Sequence, residues 1–161
     1  MHVEMPMGPS SCSLAPPHWC RAQTSVSPSA ARLAQALCAL ERYDEARRFI
    51  AISQEMAAAG DVVSQVIWRG AEAKVLARGG DHEASQSLAL EAVDLASRTD
   101  GLNMQGDILV DLAEVQRAAG HPDEARGSIR KALSLFEQKG NVASANKCSA
   151  VLQSDRLARG R

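Results

Sequence analysis

The chain has 161 residues, of which 45% are hydrophobic and only 3% aromatic, and its formal net charge is −1. This length corresponds to one domain, and the scarcity of aromatic and Thr-rich alternating runs argues against a β-sheet and predicts an all-α fold. No run approaches roughly 18 uninterrupted apolar residues, and the first thirty residues lack a basic start followed by an apolar block. We therefore expect neither a membrane span nor a secretion signal.

The amino-terminal segment is rich in proline and serine and has no periodic apolar face. Burial of so little apolar surface cannot offset the entropy of ordering the chain. We therefore predict that residues 1–27 are disordered, that a folded domain occupies residues 28–157, and that residues 158–161 form a frayed basic tail. Ser27 and Pro28 resemble an N-cap and a first-turn proline, which predicts that the first helix starts there.

The four cysteines show no metal or disulfide pattern. Cys12 and Cys20 are too far apart, even with His18 between them, for the spacing of about two to four residues found in structural zinc sites. Cys38 and Cys148 fall on helical patterns, where a free cysteine behaves as a small buried hydrophobe. We expect no metal, no cofactor and a reducing, cytoplasmic setting.

Turn signals divide the rest of the chain into helices. Gly60-Asp61, Gly80-Asp81 and Gly140-Asn141 each pair a helix-ending glycine with an N-cap residue, and Gly120-His121-Pro122 ends one helix and starts the next. We predict seven helices, at about residues 28–40, 43–58, 61–78, 81–98, 102–119, 122–138 and 141–157.

Three turns are followed by a similar acidic run that ends in alanine: ERYDEA, GGDHEA and GHPDEA. The alanines, Ala46, Ala84 and Ala125, are 38 and then 41 residues apart, and a period near 40 with helices on both sides of each turn is typical of a stacked helix-hairpin solenoid. The acidic residues could be imagined as acid/base pairs or metal ligands. Because they recur at successive helix starts rather than converge, we interpret them as groups that stabilise helix N-termini.

The repeats resemble the tetratricopeptide repeat (TPR) family over roughly residues 28–152. The matching positions are Trp68, which we expect in the core, the pairs Leu33-Ala34 and Leu112-Ala113, Tyr43, the three alanines above, Ile50, Leu88, Ile129 and Ala132. The chain departs from the family pattern at Ala71-Glu72 and Gln116, and its repeats exceed the usual length of about 34 residues. The resemblance implies a right-handed TPR-like α-solenoid of three helix hairpins plus a C-terminal capping helix.

Residues 68–100 and 102–125 also look like the C-terminal TPR arrays of large actinobacterial regulators, in which a nucleotide cyclase or transcriptional-regulator domain is joined to an ATPase module and to such repeats. The chain has no G-x-x-x-x-G-K-S/T run that would cradle phosphates. This resemblance implies an alternative to a stand-alone protein, namely a fragment or C-terminal regulatory region of a multidomain adenylate/guanylate cyclase or transcriptional activator.

In TPR-like arrays the first helix of each hairpin lines a concave groove that binds extended peptides or helices. Placing this register on the chain gives the groove residues Arg32, Gln35, Cys38, Val66, Arg69, Ala73, Asp107, Asp111, Glu114 and Arg117. Asp107, Asp111 and Glu114 share one helix face, which would suit a basic peptide or would be an ordinary solvated face. Too few Lys and Arg residues line this register to clamp a terminal carboxylate in the manner of chaperone-binding arrays.

Charge is unevenly distributed: residues 41–125 carry 8 basic and 16 acidic side chains, and residues 126–161 carry 8 basic and 2 acidic. The basic end could contact nucleic acid or an acidic membrane surface, but it lacks the interleaved aromatic residues that stack on bases. We expect a solvated helix face and no nucleic-acid partner. The sequence therefore predicts a non-catalytic protein-interaction module, not an enzyme, with a protein or peptide partner and possible self-association through a terminal repeat.

Overall fold

The computed structural model describes residues 18–159, with side chains for residues 27–157. Within these residues the chain forms seven α-helices and no strand, which confirms the all-α prediction. The helices are α1 (His18–Ala39), α2 (Tyr43–Met56), α3 (Val62–Arg78), α4 (His82–Ser97), α5 (Leu102–Ala118), α6 (Pro122–Lys139) and α7 (Val142–Arg159). None of these helices combines the length and apolarity needed to cross a bilayer.

The helices form three antiparallel hairpins, α1/α2, α3/α4 and α5/α6, and α7 packs against α6. The first helices of successive hairpins also pack on each other, α1 on α3 and α3 on α5, whereas the described second helices, α2, α4 and α6, do not. The first helices are therefore closer together than the second helices, so the layer curves with α1, α3 and α5 on its concave side. The fold is an all-α TPR-like helical solenoid.

The turns follow the predicted capping chemistry. Asp61 and Asp81 accept hydrogen bonds from Ser64 N and Ala84 N at 3.1 and 3.2 Å. Gly80 and Gly120 have φ angles of +87° and +82°, in the left-handed region that glycine adopts without strain. At the corresponding place in the first hairpin turn stands Glu41, with a φ of +58°, which a side chain with a Cβ adopts only at a cost.

The acidic residues at the helix starts lie in the first turns of α2, α4 and α6. Glu45 binds Arg42 through two hydrogen bonds of 2.6 Å, and Arg126 binds Asp123 at 2.8 Å. These ion pairs are local to each turn, at separate points along the array. Their arrangement fits the interpretation that they stabilise helix starts.

The repeat period is more regular than the acidic runs indicated. The N-cap residues of α2, α4 and α6 are Arg42, Asp81 and His121, so equivalent residues are 39 and 40 apart. The buried equivalent of Ala46 and Ala125 is therefore Ser85, whereas Ala84 is exposed. Ser85 Oγ donates to Ala73 O at 2.8 Å. The assignment of Ala84 to the packing position was wrong by one residue, and for the same reason Ala89, not Leu88, is the fully buried residue one turn later.

Helix α1 begins at His18 and not at Pro28, so the prediction that residues 18–27 are disordered is corrected. Ser27 lies inside the helix, where it is buried and its Oγ donates to Ser53 O at 3.3 Å, while Ser53 Oγ donates to Ser27 O at 3.2 Å. Packing against α2 therefore stabilises a helix that continues through Pro28. Because proline has no backbone N–H, the helix lacks one backbone hydrogen bond at this position. Residues 1–17 and 160–161 lie outside the described residues, and α7 continues through position 159 of the predicted frayed tail.

Helix α7 covers the end of α6, as expected of a capping helix. Its buried side consists of Ala145 and Cys148, with Val151 and Leu152 partly buried against the same cluster as Phe136. Val142, the first residue of α7, is 68% exposed and lies outside this buried side.

Candidate binding groove

Two adjoining cavities open on the concave side of the array. The first, of about 390 Å³, lies between α5 and α7, and the second, of about 490 Å³, lies between the starts of α3, α5 and α7. Gln35, Asp107 and Ser144 line both cavities, so the two form one continuous groove that runs across α1, α3, α5 and α7.

The first cavity exists because α7 stands away from α5. No Cα atom of the described part of α7 lies within 8 Å of a Cα atom in α5, whereas α1 approaches α3, and α3 approaches α5, within this distance. Two side-chain contacts bridge the space: Arg117 binds Asp155 at 2.9 Å, and Asn141 Nδ2 donates to Asn103 Oδ1 at 3.2 Å. The first cavity therefore extends between α5 and α7 as far as α6.

The walls of the first cavity are apolar where they meet α6. Val110, Ile129, Phe136, Cys148 and Val151 line it. Phe136 packs directly under Gly106, where a Cβ atom would lie 2.6 Å from its ring. A glycine at this position in α5 is thus what allows the phenyl ring to form part of the cavity floor.

Lys74 holds the acidic side chains that the sequence had placed on the groove wall. Its Nζ lies 3.2 Å from Asp111 Oδ1 and 2.7 Å from Glu114 Oε2. The side chains of Lys74 and Asp111 are only 10% and 8% exposed, so the pair lies between α3 and α5. Two of the three acidic groups on this face are therefore paired with one lysine of the protein, which offsets one of their two negative charges.

Burial and ion pairing act in opposite directions on the pKa values of Asp111 and Lys74. Burial raises the pKa of Asp111 to about 6, although Lys74 acts in the opposite direction. Burial by itself would lower the pKa of Lys74, but the carboxylates of Asp111 and Glu114 outweigh it and raise that pKa. Among the described residues, Asp111 Oδ2 has no hydrogen-bond partner, and it packs against Gly70, whose absent Cβ would lie 3.0 Å from this oxygen.

A second charged group lies at the junction of the two cavities. Burial raises the pKa of Asp107, and the cations of Arg32 and Lys147 counteract this effect. Within the part of the chain whose side chains are described, neither Arg32 nor Lys147 has a carboxylate oxygen within 4.0 Å. Arg32 borders the second cavity and Lys147 the first. The junction thus contains one carboxylate between two cations that form no close ion pair.

Half of the ten groove residues expected from the sequence line these cavities, namely Arg32, Gln35, Val66, Asp107 and Asp111. Glu114 and Arg117 line neither cavity and form ion pairs with Lys74 and Asp155.

Three expected groove residues are located elsewhere. Arg69 lies outside both cavities: it hydrogen-bonds Gln65, lies 3.5 Å from Glu91 on α4 and stacks 4.3 Å above the ring of Trp68. Trp68 itself packs against the α1–α3 core, as expected. Cys38 and Ala73 are buried core residues.

Lys74 and Lys147 were missed by the sequence reasoning, although the repeat period contains the signal that would have found them. Lys74 occupies the position of Gln35 in the next repeat, 39 residues later, and Lys147 occupies that of Asp107, 40 residues later. Steps of 39 and 40 residues from the groove positions Gln35 and Asp107 therefore identify both lysines. No group of three or more His, Cys, Asp or Glu side chains suited to a metal occurs among the described residues, and Cys12 and the side chain of Cys20 lie outside them.

The repeat architecture agrees with a comparison to protein families. Residues 64–138, 75 of the 161, match the family model described as tetratricopeptide repeat. The match spans α3 to α6, which are two complete hairpins. No curated protein and no solved structure matches this chain. The finer resemblance to the regulatory arrays of actinobacterial cyclases or transcriptional activators stays a prediction.

Proposed function

We propose that this protein is a non-catalytic interaction module that binds a peptide segment of a protein partner in its concave groove. The observation that carries the proposal is the continuity of the two cavities through Gln35, Asp107 and Ser144. TPR arrays generally mediate protein–protein interaction, and the groove lies on the side that such arrays use.

The shape of the groove supports a peptide rather than a compact metabolite. The groove extends over four helices and alternates apolar and polar linings, from Phe136 and Ile129 in the first cavity to Asn103 and Asn141 in the second. An extended chain presents side chains and backbone groups at intervals along its length and can use both parts.

Asp111, a buried acid with a pKa near neutrality, is a poor candidate for catalysis. A carboxyl group with a pKa of about 6, such as Asp111, would suit general acid/base chemistry. However, its Oδ1 is bound to Lys74, its side chain is only 8% exposed, and Gln35 also interacts with it, so the carboxylate is already engaged within the protein. Its role is to join α3 to α5.

The test is a selection of phage-displayed random peptides on the full chain, followed by binding measurements with individual selected peptides. Ser144→Trp fills the junction of the two cavities and should abolish binding. Ser134→Trp is the matched control, because Ser134 is exposed on α6 and lines neither cavity. Circular dichroism establishes that both variants are folded.

Binding that is lost in Ser144→Trp and retained in Ser134→Trp supports a peptide-binding groove. The proposal is overturned if no peptide is enriched, or if the selected peptides bind Ser144→Trp as tightly as the parent chain.

A further inference from the structure

The lining of the groove points to one class of peptide. We propose that the bound segment carries a bulky apolar residue next to an acidic residue, with the apolar side chain in the first cavity and the acidic side chain between Arg32 and Lys147. This inference rests on the proposed function and specifies the chemistry of the partner.

The apolar part follows from the separation of α5 and α7. Because α7 packs on α6 and not on α5, the space between them is floored by Ile129 and Phe136 and walled by Val110 and Val151. An extended backbone lying over the groove cannot itself fill a cavity of about 390 Å³ that reaches down to α6, whereas a Leu, Met or Phe side chain directed inward would displace water from these apolar walls.

The acidic part follows from counting which charges in the groove lack a close partner. Lys74 carries one positive charge and pairs with both Asp111 and Glu114, so this cluster keeps one negative charge, and Arg117 is paired with Asp155. Among the side chains that the structure describes, Arg32, Asp107 and Lys147 have no partner at ion-pair distance. At the junction of the two cavities these three groups sum to one positive charge, which one acidic side chain of a ligand placed there would balance. The polarity at the junction is therefore the reverse of that expected for the basic peptide that the sequence suggested.

The two parts of the ligand must be neighbours in its sequence. Lys147 lines the first cavity, Arg32 lines the second, and Asp107 lines both. A carboxylate placed between the two cations therefore lies at the mouth of the first cavity. In an extended peptide, this corresponds to an acidic residue directly adjacent to the apolar residue or two positions from it.

The experiment begins with the peptides selected on the parent chain. We expect them to share an acidic residue beside a bulky apolar residue. The double variant Arg32→Glu/Lys147→Glu should weaken their binding by at least about tenfold, and added salt should weaken binding to the parent chain in the same direction. The matched control is Arg47→Glu/Arg48→Glu, which reverses two exposed cations on α2 that line neither cavity.

A second pair of variants tests the apolar part. Val151→Trp fills the first cavity and should abolish the preference for a bulky apolar residue, so that alanine at that peptide position binds as well as leucine. Leu157→Trp is the control, because Leu157 lies on the same helix and is 73% exposed.

The results separate this inference from the proposed function. Peptides that bind the groove, shown by loss of binding in Ser144→Trp, but that lack the acidic residue or bind the Arg32→Glu/Lys147→Glu variant unchanged, overturn the inference and leave the proposed function intact. Selected peptides that are unaffected by Ser144→Trp overturn both.

Discussion

The contact between α3 and α5 and the contact between α5 and α7 occupy equivalent places in successive repeats, yet the first is closed and the second is open. At the closed contact, Gly70 lets α3 approach Ile108 and Asp111, and Lys74 joins the two helices. Forty residues later in the same register, Gly70 is replaced by Val110, Lys74 by Glu114, and Asp111 by Val151.

These replacements explain the difference. A valine in place of glycine holds the helix axes apart, and among the described residues no buried ion pair forms across the gap. The polar contacts between α5 and α7 are those of Arg117 with Asp155 and of Asn103 with Asn141 at the start of α7. One repeat contact thus stabilises the array, and its equivalent provides the cavity. Four changes to the protein test this account of the closed and the open contact.

The first change removes the ion pair from the closed contact. Lys74→Ala leaves the Asp111 carboxylate buried without its counter-ion and should lower the free energy of unfolding by about 3–5 kcal/mol, whereas Lys74→Met/Asp111→Leu, which removes both charges, should cost much less. Urea denaturation measures both. Lys131→Ala, at an exposed site on α6, is the control and should change the free energy of unfolding by less than about 0.5 kcal/mol. Equal losses in the single and double variants would contradict this account.

The second change tests the protonation of the closed contact. Because the pKa of Asp111 is raised from 3.8 to about 6 in the folded state, the folded protein holds this proton more tightly than the unfolded chain. The resulting stabilisation, at most about 3 kcal/mol, is fully present below pH 3.8 and is lost as the pH rises through about 6. The difference in unfolding free energy between the parent chain and Asp111→Asn should therefore grow as the pH falls from 7 to 4. A pH-independent difference would show that the carboxyl group titrates normally.

The third change opens the closed contact sterically. Gly70→Val places side-chain atoms where Ile108 Cδ1 and Asp111 Oδ2 now lie and should lower the free energy of unfolding by about 2 kcal/mol. Gly127→Val on α6 is the matched control, because a Cβ atom there meets nothing within 4 Å. Chemical denaturation compares the two, and a stability loss in Gly127→Val as large as that in Gly70→Val would rule out the steric explanation.

The fourth change loosens the open contact. Arg117→Ala breaks the pair with Asp155 and should lower the free energy of unfolding by only about 0.5 kcal/mol, while amide hydrogen exchange in α7 becomes faster. Arg98→Ala breaks a pair with Asp94 within α4 and should have a similar effect on stability but none on α7. If exchange in α7 is the same in both variants, the Arg117–Asp155 pair does not hold α7 in place.

The sequence predicted the helices α2 to α6 to within two residues because glycine and N-cap residues mark their ends. It failed at α1, where Ser27 acts through its hydrogen bonds to Ser53 rather than as a cap. The start of α1 depends on its packing against α2, and no local sequence pattern indicates it.

One error in the groove comes from the repeat period. Aligning Ala84 with Ala46 shifted the second repeat by one residue, which placed Ala73 in the groove, whereas the true period of 39 residues points to Lys74. A helix face changes by about 100° with each residue, so an error of one position exchanged a groove lysine for a buried alanine. The pairing of Lys74 with Asp111 and Glu114 also depends on the distance between α3 and α5, and the sequence period does not predict that distance.

The left-handed backbone at Glu41 affects which hairpin of the array unfolds first. Solenoid units are held mainly by their immediate neighbours, so they detach in sequence from the weakest position. The first hairpin has a neighbour on one side only among the described residues and carries a strained turn where the others have glycine. We expect the amides of α1 and α2 to lose protection before those of α3 to α6, so that unfolding of the array begins at its first hairpin.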